Sequence, residues 1–109
     1  MEVKEKNLLL EQVKHIRDTI VSGEYETDNE EGCNALDYLE DVLDINYYVD
    51  QKKEYLGARV LVAFGGPNIW IDTKHQEVEG YWGGDKEILY YHKDEMDIDG
   101  ALREIFACT

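Results

Sequence analysis

The chain has 109 residues, enough for one modest core and too few for two, so a single domain spanning 1–109 is expected. Hydrophobic residues make up 43% of it, with eight Tyr and two Trp, which argues against wholesale disorder. Its 25 Asp and Glu outweigh 11 Lys and Arg, and the formal net charge of -14 disfavours binding to nucleic acid or anionic membranes and attracts basic proteins.

Val3 to Ser22 reads as an amphipathic helix. Leu9, Val13, Ile16 and Ile20 recur at helical spacing, Leu10 and Val21 widen the stripe, and Gly23 is a natural left-handed stop. Leu8-Leu9-Leu10 is far shorter than the apolar core of a secretory signal, and acidic residues surround it. No apolar run approaches the length needed to cross a bilayer. Cys33 and Cys108 belong to no CxxC or Cys/His pattern and read as reduced thiols. The expectation is a soluble cytoplasmic protein.

From Asp18 to Gln51 there is no Lys or Arg, yet the stretch carries eleven carboxylates. Thr27 with Glu30 has the form of a capping box for a second helix ending near Asp44; Gly32 weakens that start, leaving Asn29 or Asn34 as alternatives. Asp28, Glu30 and Glu31 would favour the positive end of this helix. On a helical projection Leu36, Leu39 and Leu43 share a core sector. Asp37, Glu40, Asp41 and Asp44 share another, rotated by roughly a third of a turn. The spacing therefore predicts a row of carboxylates on one helix face.

Beyond Asp44 the period changes. Ile45 to Asp50, Tyr55 to Phe64, Ile69 to Asp72, Glu77 to Trp82 and Glu87 to His92 are rich in β-formers, with turn residues between them. Pro67 cannot donate within a sheet ladder. Asp97 or Asp99 can cap a final short helix through Ala101, Leu102, Ile105 and Phe106. Helices and strands in runs predict an α+β fold: two N-terminal helices, about four antiparallel strands in a meander, and a short C-terminal helix. The adjacent aromatic pairs Tyr47-Tyr48, Tyr81-Trp82 and Tyr90-Tyr91 each send one ring to either side of the sheet. The outward rings with Trp70 form an aromatic patch, in which Trp70 and Tyr81 are the candidate interface residues, unless edge loops cover them.

No constellation carries catalysis. His15, His75 and His92 are isolated in sequence and read as ordinary polar residues. Gly65-Gly66-Pro67-Asn68 lacks the Lys-Ser/Thr of a phosphate loop and reads as a strand connection, as does Gly83-Gly84. Asp94 to Asp99 fails the EF-hand pattern, with Asp99 at the sixth position from Asp94 and Ile105 at the twelfth. Acids on the outside of a helix diverge and do not converge on a metal-dependent nuclease site. No catalytic residue, metal ligand or cofactor is assigned, and a non-enzyme is expected.

Tyr55 to Arg59, Gly65 to Asp72 and Val78 to Gly83 resemble a segment of small proteins of phages and other bacterial mobile elements. The likeness covers about a third of the chain. It has no activity attached, so it assigns no functional residue. It implies a context, the cytoplasm of a bacterial host, in which small acidic proteins include DNA-mimicking inhibitors of restriction and CRISPR nucleases.

Together these readings predict an inhibitor that binds a basic nucleic-acid-binding protein, such as a host-defence nuclease. B-DNA carries about one charge per 1.7 Å of axis, and helical acids three or four apart lie roughly 5–6 Å from each other. The expected partner-binding residues are Asp37, Glu40, Asp41 and Asp44, extended by Glu24, Glu26, Glu30 and Glu31. Alternatives are a self-associating accessory module using the aromatic face, an immunity protein for a basic toxin nuclease, and an acid-dependent metalloenzyme.

Overall fold

The computed structural model describes residues 2–24 and 34–109, with side chains for 8–24 and 35–109. The first helix, α1 (Glu2–Ser22), forms because its apolar stripe has a sheet to cover. Leu9, Val13 and Ile20 are fully buried and Ile16 is half-buried, whereas Leu10, expected to widen the stripe, is exposed. Gly23 ends the helix in the left-handed region at φ 74°, donating its N–H to the Thr19 carbonyl at 2.9 Å.

Five strands follow the second helix: β1 (Asp44–Val49), β2 (Tyr55–Ala63), β3 (Asn68–Asp72), β4 (Glu77–Trp82) and β5 (Asp85–Tyr90). They form one antiparallel meander in the order β1-β2-β3-β4-β5. All five β-rich stretches pair, one more strand than the expected count of about four. The last strand starts two residues earlier than expected, because Gly83 at φ 61° makes a tight turn that pairs Trp82 with Asp85.

The second helix, α2 (Asn34–Glu40), is shorter than its periodicity suggests. The capping box at Thr27 and Glu30, and the alternative start at Asn29, lie outside the described residues. Its end is at Glu40 and not near Asp44. The Asp41 N–H closes a tight turn on the Tyr38 carbonyl at 3.3 Å, and the Leu43 N–H bonds the Leu61 carbonyl at 2.8 Å. The β-forming run that begins at Ile45 has drawn the chain into the sheet ladder, and tertiary pairing overrides local helical period. Ala35 and Leu39 are buried and Leu36 half-buried, but Leu43, expected in the core stripe, is 59% exposed.

The third helix, α3 (Ile98–Ala107), starts after Asp97, which sits in the left-handed region without a side-chain cap bond. The capping carboxylate belongs to Asp94, which accepts the N–H groups of Ile98 and Asp99 at 2.9 and 3.0 Å. Neither Asp97 nor Asp99 caps the helix.

One face of the sheet holds the core. Paired positions share a face, so Val60, Ile71 and Val78 align across β2, β3 and β4, and all are fully buried. The first helix lies on β4 and β5, α3 lies on β2, and α2 lies against α3. Tyr47 and Tyr55 point into this layer, with ring centroids 5.0 and 5.7 Å from Phe106. No helix among the described residues is long and apolar enough to cross a membrane.

Gly80 is where α1 touches the sheet. A Cβ there would lie 2.9 Å from Leu9 Cδ1 and closer still to Val13 Cγ2, both fully buried. Gly80→Ala should therefore push α1 off β4 and cost about 1–3 kcal/mol in urea unfolding.

The hydroxyls of Tyr55 and Tyr91 sit in the core layer. Burial pushes both far above the usual phenol range, aided for Tyr55 by its 2.7 Å bond to Asp99 and for Tyr91 by the nearby Asp94 and Asp99 carboxylates. A raised folded-state value favours the folded protein fully below the ordinary tyrosine value near 10, and that contribution is lost as pH climbs from there. Stability should fall above about pH 10, and a late step in tyrosinate absorbance should coincide with loss of the circular dichroism signal.

Candidate functional site

Among the described residues, no helix covers the other face of the sheet. The ladder register assigns its side chains in rows. Asp44, Leu61, Trp70, Glu79 and Ile88 form one row across the five strands; Asn46, Arg59, Asp72, Glu77 and Tyr90 form the next. Beside them lie Tyr48 on β1 and Tyr81 on β4.

Two carboxylates are buried on this open face, Asp72 at 3% and Glu79 at 8% exposure. Buried carboxylates need donors or counter-charges, and both have them. Glu79 accepts from the Tyr81 hydroxyl at 2.7 Å and pairs with Arg59 Nε at 3.3 Å. The Arg59 guanidinium in turn stacks over Trp70, 4.0 Å from the ring centroid. These four side chains roof the centre of the sheet in place of a helix.

Asp72 ends β3 and anchors the turn to β4. Its Oδ1 accepts the His75 backbone N–H at 3.1 Å; its Oδ2 accepts the Tyr48 hydroxyl at 2.9 Å and lies 2.9 Å from His75 Nδ1. Burial alone would raise this carboxyl, but the side-chain and backbone bonds from His75 and the bond from Tyr48 outweigh it and hold it below the usual range. Glu77 faces Asp72 across the hairpin. Burial and the Glu79 and Asp72 carboxylates push Glu77 upward. The acidic groups of Asp72 and Glu77 and a ring nitrogen of His75 all lie within 4.8 Å of one another.

The turn is held from both sides. Thr73 exchanges bonds with β2: its N–H donates to the Ala58 carbonyl and its hydroxyl oxygen accepts the Ala58 N–H, each at 2.8 Å. Gly57, at φ 154°, allows close approach, since a Cβ there would lie 2.8 Å from the Lys74 nitrogen. On the far side the Tyr91 N–H bonds the Gln76 carbonyl at 3.0 Å. His75 is thus presented by a braced hairpin.

The acids singled out by helical period are not gathered into one row. Asp37 and Glu40 are on α2, Asp41 is in the turn after it, and Asp44 opens β1, where its carboxylate bonds the Ile45 N–H at 3.0 Å and Asn46 Nδ2 at 3.2 Å. The expected carboxylate ladder on a helix face is corrected accordingly: the helix stops before two of its four members. Glu24 is exposed just past α1, while Glu26, Glu30 and Glu31 lie outside the described residues. Trp70 and Tyr81 do share the open face, as strand alternation requires.

Sequence reading passed over Asp72, His75 and Glu77. His75 looks isolated until the hairpin brings it beside Asp72. The available signal was the turn itself, since pairing Asp72 with Glu77 closes a hairpin on His75.

Comparison of the chain with protein-family models, with curated proteins and with solved structures finds no match in any of the three.

Replacing Tyr48 by Phe removes a donor from a buried carboxylate that keeps only its His75 contacts. Tyr48→Phe should cost about 1–2 kcal/mol in urea unfolding. The exposed Tyr90 is the control, and Tyr90→Phe should stay within about 0.5 kcal/mol of the parent.

Proposed function

We propose that this protein is a non-enzymatic acidic inhibitor that binds a basic nucleic-acid-binding protein, a CRISPR effector or restriction nuclease, by presenting carboxylates where that target accepts phosphates. The observation that carries this reading is charge: -14 in 109 residues, with no Lys or Arg between Arg17 and Lys52. A surface of that sign is drawn to clustered Lys and Arg over a Debye length and repelled by nucleic acid itself.

The distribution of the described acids supports it. The second helix turns Ala35 and Leu39 inward, and Glu40 and Asp41 remain exposed. Glu24 beyond α1 and Asp44 at the start of β1 are exposed as well. Phosphate mimicry demands charge density in reach of a basic groove, and acids carried by a helix, a turn and a strand end can supply it without a single helical row. Action in the cytoplasm of a bacterial host is part of this proposal, as the resemblance read in the sequence implies. An immunity protein against a basic toxin nuclease would use the same chemistry.

A second reading has its own observation. The open sheet face combines Leu61, Trp70 and Ile88 with Arg59, Tyr81 and Tyr90, the residue types enriched in protein interfaces, and a self-associating accessory module would bury them.

One experiment separates the two. Immobilised protein is incubated with bacterial lysate at low and moderate salt, and the bound proteins are identified. Capture of a basic nuclease is expected, released by salt and by competing duplex DNA. The Glu24→Lys, Glu40→Lys, Asp44→Lys triple variant should weaken capture by about tenfold or more with its urea midpoint nearly unchanged. Retention untouched by DNA and by charge reversal overturns the inhibitor reading. Recovery of the chain alone, indifferent to salt and abolished by Trp70→Ala, establishes self-association.

A further inference from the structure

We propose that the β3–β4 hairpin binds a divalent transition-metal ion, with Zn²⁺ the best fit, through the carboxylates of Asp72 and Glu77 and the imidazole of His75. The donors already converge: one ligand atom from each lies within 4.8 Å of the other two.

Their mutual geometry suits an ion. His75 Nδ1 and Asp72 Oδ2 are 2.9 Å apart. Two adjacent donors on a metal with bonds of about 2.1 Å are separated by roughly 3.0–3.4 Å, depending on octahedral or tetrahedral arrangement. An ion can therefore take the place of the direct contact in this pair with only a small opening of it. Glu77 then closes in as third ligand. Among the described residues no donor bonds its carboxylate, so this movement breaks no hydrogen bond.

The surroundings meet the other requirements of a metal site. The Tyr48 hydroxyl and the His75 N–H already orient the Asp72 carboxylate, as outer groups do for metal ligands. The turn is braced by Thr73 against β2 and by Gln76 against Tyr91, so the ligands are carried by a rigid frame. His75 is 55% exposed at its side chain, which leaves an entry path and at least one coordination position for water. Repulsion is also present to be relieved: Glu77 lies in the field of the Asp72 and Glu79 carboxylates, and the nearest full cation of that row, Arg59, is bound to Glu79.

The donor set selects the ion. Mg²⁺ and Ca²⁺ take oxygen ligands, six or more in number, and an imidazole is a poor substitute. One nitrogen and two carboxylate oxygens, with positions left to water, suit Zn²⁺ and its first-row neighbours.

The test is calorimetric titration of the full chain with ZnCl₂ in metal-free buffer, with urea unfolding at rising Zn²⁺. One ion per chain and a midpoint that climbs with Zn²⁺ are expected. His75→Ala and Glu77→Gln should each weaken uptake by about tenfold or more, while circular dichroism shows both still folded. His15→Ala and His92→Ala should bind like the parent, and Mg²⁺ at matched ionic strength should not displace Zn²⁺. Uptake that persists at full affinity in both hairpin variants overturns the site, as does loss of uptake in the His15 or His92 variants instead. Equal competition by Mg²⁺ would mean that ions are held by the general acidity of the surface, and that too overturns it.

Discussion

The carboxylate of Asp72 is the constraint on which the open half of this structure depends. It is buried on a sheet face that no described helix covers, where an unpartnered charge would be too costly to keep. The fold meets that cost with three donors from two places: the Tyr48 hydroxyl from β1, and the ring and backbone nitrogens of His75 from the turn that Asp72 itself begins. Strand β1 is thereby tied to the β3–β4 hairpin across the intervening β2. The same donors that make burial tolerable also fix where the imidazole sits. Stability and site geometry share one set of bonds.

Glu79 solves the same problem differently. Its charge is met by Arg59, and Arg59 is flattened onto Trp70 and not extended into water. An arginine can do both because its guanidinium is planar and weakly hydrated; a lysine could not. The result is a sheet whose uncovered face is closed by a layer of rings, one guanidinium and the carboxylates of Asp72 and Glu79. Its two buried carboxylates, Asp72 and Glu79, are both partnered. Other described acids are exposed away from this layer, Glu24 past the end of α1, Glu40 on α2 and Asp41 in the turn after it. Of the described acids named for a charge-driven partner, Glu24 and Glu40 lie off the sheet, and Asp44 alone stands on the open face, on its edge strand β1.

Much of the architecture was legible in the chain. The Leu9, Val13, Ile20 stripe with Gly23 behind it specified α1, and alternation put the rings of each aromatic pair on opposite sides; the structure shows which is which, with Tyr47 and Tyr91 in the core layer and Tyr48 and Tyr90 outside it. The end of α2 was not legible. Leu36 to Asp44 has a helical period, and nothing local reveals that the Leu43 N–H will be taken by Leu61. The site was legible only in its parts. Trp70 and Tyr81 followed from strand alternation, whereas His75 acquired meaning from a register that pairs Asp72 with Glu77.

The sequence by itself determined the net charge, the helix and strand content and the two faces of each strand, because these depend on composition and on periods of two and 3.6 residues that short stretches carry alone. Tertiary structure decided where α2 stops, which carboxylates are buried, which cation meets which acid, and that Asp72, His75 and Glu77 stand together. Each of these depends on the pairing of segments distant in the chain. A single-residue change of register between β3 and β4 would break the pairing of Asp72 with Glu77 while leaving the local pattern intact.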